Sequence, residues 1–442
     1  MRLVGWPPPG AIVNAPDNTA SVEPRGVVRR ALRSLGFPPF RYFWASNFIV
    51  AMGLMVQFTA RAWLVVQLTD SALVLGAVEA SWAVTFALGS IPMGLVADRF
   101  NRRTLLLIDN VVAVLVALTL GVLVVTDLVA VWHVFAASLV AGLLGAVRFP
   151  ASQAMTGRLV PEHLFMNATS LNTASHSVPS VVGPALGGLL VGGVGVGVVY
   201  FATSGAHLAA AVMLFVGVAA SFGSIARDDA RSVTSDLRDA IAYLRADAHL
   251  LRLTAVIVMP FVLGSSYTLL LALFVEQELG GGAAMFGFLS ASLGAGGVIG
   301  AMVIAAAGQS RQIAYLMFLG IVGVGAAALI YGFSHWLPLT ALALMVGGAA
   351  QSALFVAYET FLLLRVPDEM RGRIMGLTFT IFALFPVGAI FAGALADLVG
   401  LRAVAILEGG VVLVLALFAW RFALRHVAGA TAAEAPGQAE AI

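Results

Sequence analysis

Gly94-Leu95-Val96-Ala97-Asp98-Arg99-Phe100-Asn101-Arg102-Arg103 places one acid and three arginines between two long apolar runs. A charge at the centre of a bilayer costs about 3 kcal/mol or more. These ten residues therefore lie at a water interface, and the runs that flank them cross the hydrocarbon. Arginine clusters mark the cytosolic side. The stretch reads as a tight cytosolic loop joining two transmembrane helices.

Composition agrees. Of the 442 residues 60% are hydrophobic and 10% charged, against roughly 25% charged in soluble domains, and the mean hydropathy is +0.99. The chain has no cysteine, which excludes disulfides, thiolate metal sites and a cysteine nucleophile. All of its basic residues are arginine, and a net charge of +2 gives no reason to propose nucleic acid as a partner. The first forty residues carry Pro7-Pro8-Pro9 and scattered arginines without the apolar core of a signal peptide. They read as a disordered cytosolic tail over 1–42.

About twenty apolar residues cross a bilayer. Twelve such runs follow, near 44–68, 72–97, 104–126, 129–152, 167–192, 197–222, 252–275, 284–307, 312–333, 337–360, 374–397 and 402–424. With the N-terminus inside, twenty-two of the twenty-four arginines are assigned to the tails and even-numbered loops, leaving Arg402 outside and Arg61 within the first span. The external loops hold Asp70, Asp127, Glu276 and Glu278 instead. That asymmetry puts both termini in the cytosol of a plasma-membrane protein. The interval 223–251 repeats Leu237, Ile241 and Leu244 at helical spacing and reads as an amphipathic helix on the cytosolic surface. It separates a bundle over 43–222 from a second over 252–425, with a disordered tail over 426–442. The halves are repeats. A shift of 206 residues lays Phe149 on Phe355, Val160-Pro161-Glu162 on Val366-Pro367-Asp368, Gly94 on Gly300 and Gly187 on Gly393.

The charged loop, with Gly94 ahead of Asp98 and with Arg99, Arg102 and Arg103 behind it, resembles the G-x-x-x-D-R-x-G-R-[RK] loop of the major facilitator superfamily. Asn101 stands where that pattern has its second glycine, and asparagine tolerates left-handed backbone angles. The resemblance implies an all-α integral membrane protein, twelve transmembrane helices in two pseudo-symmetric six-helix bundles. Gly94 is expected to allow close helix approach and Asp98 to end the second helix. In span 5, Gly183-Pro184-Ala185-Leu186-Gly187-Gly188 is similar to the G-P-x-x-G-G signature of the superfamily's antiporters. Proline frees the carbonyl of Ser180 and favours a bend, and the glycines permit close packing; ordinary glycine packing is the alternative. The loop Val366-Pro367-Asp368-Glu369-Met370-Arg371-Gly372-Arg373, with Leu68-Thr69-Asp70-Ser71-Ala72-Leu73, resembles the drug-efflux branch that includes macrolide and enterobactin exporters. There Arg371 and Arg373 are expected to pair with Asp98 or with helix-end carbonyls, closing the cytosolic gate.

Ionisable residues inside spans point to chemistry. Arg61 lies nine residues before Asp70 and Glu79 nine after it, so helical rise puts both at one depth. They are expected to form either a structural salt bridge or a proton-exchanging pair. Asp109, His207 and Glu408 read as packing groups in peripheral spans. Span 4 has Ser138, not arginine, four residues before Gly142, which removes one feature of many proton-driven members. The resemblance lines the cavity with spans 1, 4, 7 and 10 and makes Gln57, Ser138, Ser265, Ser266, Tyr267, Gln351 and Ser352 candidates for cargo contact. No HExxH, Walker or GxSxG pattern marks an enzyme. The expectation is a monomeric, cofactor-free secondary exporter of a small amphipathic or hydrophobic compound, with protons as counter-substrate and the bilayer as its environment. An importer of a small solute, or a receptor-like or assembly protein of the same fold, is the alternative.

Overall fold

In the computed structural model, residues 32–219, 233–264, 266–307, 313–383 and 386–421 are described. The first half contributes α1 (Pro38–Leu68), α2 (Ala72–Arg99), α3 (Arg102–Val125), α4 (Val131–Thr156), α5 (Phe165–Val194) and α6 (Val196–Gly217). A linker helix α7 (Val233–Ala246) leads to the second half. There α8 (Ala248–Gly264), α9 (Ser266–Leu269) and α10 (Leu271–Gln277) share the seventh span, followed by α11 (Ala283–Ala307), α12 (Ile313–Phe333) and α13 (Leu337–Arg365). The chain then forms α14 (Asp368–Ala383), α15 (Val387–Val399) and α16 (Leu401–Ala419).

Eleven helices among the described residues are long and apolar enough to span a membrane. The eleventh predicted run, 374–397, is instead divided between α14 and α15, with Pro386 in the turn before α15. Proline lacks the N–H that a continuous helix needs. Large apolar side chains such as Leu398, Leu88 and Val216 stand more than two-thirds exposed, which is what a lipid-facing surface requires.

Two boundaries move. A short turn at Arg33–Gly36 and the start of α1 occupy residues assigned to the tail. Ser34 anchors them, its backbone N–H donating to Asn167 Oδ1 at 3.0 Å. The linker helix forms, and Ala240 and Leu244 bury into the second half's core, so α7 packs against that half as well as lying along its surface.

The apolar cores define the state of the molecule. One core draws on both halves at the arginine-poor end, joining Trp63, Leu75 and Tyr200 to Phe274, Phe286 and Leu344. At the arginine-rich end each half keeps its own: Phe40, Leu106 and Met155 in the first, Leu253, Met317 and Tyr358 in the second. Among the described residues the halves share a core at one end and keep separate cores at the other.

Candidate functional site

Between the shared core and the separate ones lies a cavity of about 650 Å³. The first half supplies Met55 and Phe58 from α1 and Ser177, Ser180 and Pro184 from α5. The second supplies Phe261, Thr268, Leu269 and Leu271, a run of small residues on α11 around Gly294 and Gly297, and Gln351, Ser352 and Phe355 of α13. Among the described residues no lining side chain is ionisable. Three phenylalanines and a methionine form apolar walls, and hydroxyls with one carboxamide provide the polar contacts. Such a surface suits an amphipathic small molecule.

The candidates for cargo contact divide. Gln351 and Ser352 face this cavity. Gln57 does not; it lines a separate pocket inside the first half. Ser138 is buried with no hydrogen-bond partner. Ser266 is buried with its hydroxyl on the Val262 carbonyl at 3.1 Å, and Tyr267 turns inward against Tyr331, ring centroids 4.8 Å apart. Tyr267 N–H donates to Glu408 Oε2 at 3.2 Å, which ties the seventh span to α16. Ser265 lies outside the described residues.

The glycine signature of α5 faces two ways. Gly183 and Gly187 lie against Met55, Val56 and Thr59 of α1, within the half. Gly188 faces the other half: a Cβ there would lie 2.7 Å from Gly287 Cα on α11, too close to fit. The Ser180 carbonyl that Pro184 frees meets Gly294 on that same helix. A second seam joins α2 to α15, where Gly76 meets Ala389 and Gly393 meets Ala72. At its arginine-poor end Asp397 of α15 accepts from the N–H groups of Ala72 (2.7 Å) and Leu73 (3.2 Å) and from the Ser71 hydroxyl (2.8 Å). A carboxylate of one half thus caps the first turn of a helix in the other, where partial positive charge collects.

The charged loop departs from expectation in two places. Asn101 is extended (φ −61°, ψ 115°) and not left-handed; its side chain caps α3, accepting from Arg103 N–H at 3.0 Å. Asparagine is as good an N-cap as it is a left-handed residue, so the sequence alone did not separate the two. Gly94 has nothing within 4 Å of where its Cβ would stand; Gly142 of α4, against Trp82 and Thr85, makes the close approach to α2 instead. Arg103 donates to the Phe215 carbonyl at 2.7 Å and pins the end of α6. Arg99 is exposed, and Arg102 opens α3. Asp98 lies in the last turn of α2, but its side chain lies outside the described residues. Across the molecule Pro367 begins α14, its carbonyl accepting from the Arg371 N–H at 3.0 Å. The Arg371 side chain donates to the Leu363 carbonyl in the last turn of α13 at 2.8 Å. Arg373 goes elsewhere, to Asp239 of α7 at 3.1 Å.

Arg61 and Glu79 meet in a two-pronged pair, Nη2–Oε2 at 2.6 Å and Nε–Oε1 at 3.3 Å, with Glu79 only 3% exposed. The Arg61 guanidinium also lies over the ring of Phe58, a cavity residue. A second buried pair was not foreseen. Arg148, which the arginine tally assigned to the cytosolic face, sits within α4 and pairs with Asp109 of α3. Its other contact is Asn110 Oδ1 at 3.1 Å, and His207 Nδ1 lies 3.3 Å from that same oxygen. Asp109, Arg148 and His207 line the pocket that holds Gln57. The signal was present: Arg148 falls inside the predicted run 129–152, so an arginine does occupy span 4, ten residues beyond Ser138.

Two halves seamed around a cavity with no ionisable side chain among its described residues have the architecture of a membrane transporter of the major facilitator type. The chain belongs to the transmembrane secretion effector family, whose sequence profile matches residues 31–439. It is 24% identical over 360 residues to the multidrug efflux pump Tap of Mycolicibacterium fortuitum, covering 79% of this chain and 87% of that one. It is 23% identical to the staphyloferrin A transporter of Staphylococcus aureus, covering 82% and 90%. It is 26% identical to the multidrug resistance protein MdtG of Salmonella paratyphi C, covering 77% and 83%. Among solved structures, a bacterial homolog of the human lysosomal transporter Spinster superposes with a TM-score of 0.73 at 13% identity, over 89% of this chain and 98% of that chain.

Proposed function

We propose that this protein is a secondary-active exporter in the plasma membrane that carries a small amphipathic or hydrophobic compound by alternating access, with protons moving the other way. The uncharged, phenylalanine-walled cavity carries the reading. A phosphorylated or polyanionic solute would need arginine clamps, and among the described residues none lines that space. Efflux is the activity for which the related pump Tap is named, and it agrees with the family's designation as secretion effectors. With the arginine-rich face in the cytosol, both termini are cytosolic, and cargo enters the cavity from inside through the end where the two cores are separate. The cavity is walled by one chain, so a monomer suffices.

The test is ethidium movement in inverted vesicles with and without an imposed pH gradient. Export predicts gradient-driven accumulation that collapses when the gradient is dissipated and falls at least tenfold in Asp98→Asn. Absence of ethidium, siderophore and macrolide movement under any gradient overturns the reading.

A further inference from the structure

The pocket behind α1 has features that packing alone does not explain. It is small, about 90 Å³, and enclosed by α1, α2, α3, α4 and α6. Its wall carries Gln57, Asp109, Arg148 and His207 among apolar side chains. The hydrogen bonds fix the imidazole's tautomer. Asn110 Nδ2 donates to the Leu106 carbonyl at 2.7 Å, so its Oδ1 is the atom turned to Arg148 and His207. A carbonyl oxygen only accepts, so His207 Nδ1 carries the hydrogen. Nε2 is then a bare lone pair. His207 is 2% exposed, and this nitrogen has no protein partner. His207 lines a space large enough for water, and water normally satisfies a buried polar atom that has no protein partner.

From this geometry we infer that the pocket is a hydrated proton-binding site, in which His207 Nε2 takes up the transported proton and sets a second cation beside Arg148, with which the ring shares Asn110 Oδ1. The inference rests on the proposed proton antiport and locates it. Asp109 is held by the Arg148 guanidinium in the state described. An imidazolium formed at His207 would share the Asn110 carboxamide with that guanidinium. Two cations held on one carboxamide oxygen repel each other, so proton uptake works against the position in which Arg148 holds Asp109. The facing groups are few: Asp109 from α3 and Arg148 from α4 are charged, whereas α1 and α2 present neutral Gln57 and Trp82. The pair Arg61–Glu79 is occupied with itself. Transmission has a structural route. Leu54 and Gln57 of α1 form this pocket, while Met55 and Phe58 of the same turns wall the cargo cavity. One helix is the partition between proton and cargo.

The decisive experiment compares two assays in proteoliposomes with ethidium as probe. Counterflow, driven by ethidium alone, needs no proton; accumulation driven by a pH gradient does. His207→Gln is expected to reduce gradient-driven accumulation at least tenfold, keep counterflow within twofold, and flatten the pH profile of exchange. His207→Asn, which keeps a hydrogen-bonding atom near the Nδ1 position, should behave the same way. The inference is overturned if either variant accumulates ethidium with the wild-type pH profile, or if both lose counterflow together with accumulation while melting like wild type. Failure of the wild type in both assays would instead remove the export reading beneath it.

Discussion

Asp397 is the contact on which the closed end should depend most sharply. Replacing it by alanine removes a carboxylate that accepts two backbone N–H groups and the Ser71 hydroxyl across the seam between halves. Hydrogen bonds to a charged group contribute about 1.5–3 kcal/mol each when buried, but Asp397 is exposed and water replaces much of that. Allowing a few tenths per bond, plus about 0.5–1 kcal/mol for an anion at a helix N-terminus, the loss comes to about 2 kcal/mol, or roughly thirtyfold in the closed-to-open ratio. α2 itself should not fray, because the Ser71 hydroxyl still accepts from the Val74 N–H at 3.3 Å. The chain has no cysteine, so spin labels at Leu128→Cys and Trp336→Cys, both two-thirds exposed and in loops of opposite halves at this end, report the opening without background. Pulsed distance measurements should show a long-distance population growing in Asp397→Ala by that factor. An unchanged distance distribution would refute the assignment of the latch.

Gly188→Val should abolish ethidium transport at normal expression, because its side chain would strike Gly287 across the seam; Gly193→Val, with nothing within 4 Å, should transport like wild type. Glu79→Gln leaves Arg61 buried without its counter-ion and should cost about 3 kcal/mol, read as lost thermal stability in detergent. The double change Arg61→Met, Glu79→Met should regain most of it, and a Glu79→Gln variant that keeps the wild-type pH profile would remove this pair from coupling. Asp247 precedes α8, and the N–H groups of Leu250 and His249 with Arg365 hold its carboxyl below the usual range. A lowered folded value gives stability above about pH 4 that disappears as pH falls through it. Asp247→Ala should therefore lower the melting temperature at pH 7 by the worth of an N-cap, about 1 kcal/mol, and the difference should shrink in acid.

The spans were legible because lipid demands apolar length, and the charged loops were legible because charge is expelled from it. Which way each helix faces was not. A helix in lipid is apolar all round, so the period that reveals a buried face in a soluble protein is absent; Ser266, Tyr267 and Gln57 were assigned to the cavity by span alone and turn elsewhere. Arg148 was lost because a run's edge is blurred by a turn or two, and one turn separates a cytosolic arginine from a buried one. Asp397 left no local signal at all. Its partners are 324–326 residues away, and only the assembled halves bring them together.

The shared core also sets which physical variables the transporter feels. Among the described residues no ion pair crosses between the halves, so the seal is chiefly apolar surface withdrawn from water, with Asp397 as its polar rim. Apolar association weakens on cooling and strengthens with excluded salts, whereas ion pairs are screened by salt. Opening this end should therefore carry a positive heat-capacity change. A membrane chilled toward freezing would loosen the seal, while a rise in sulfate concentration would tighten it.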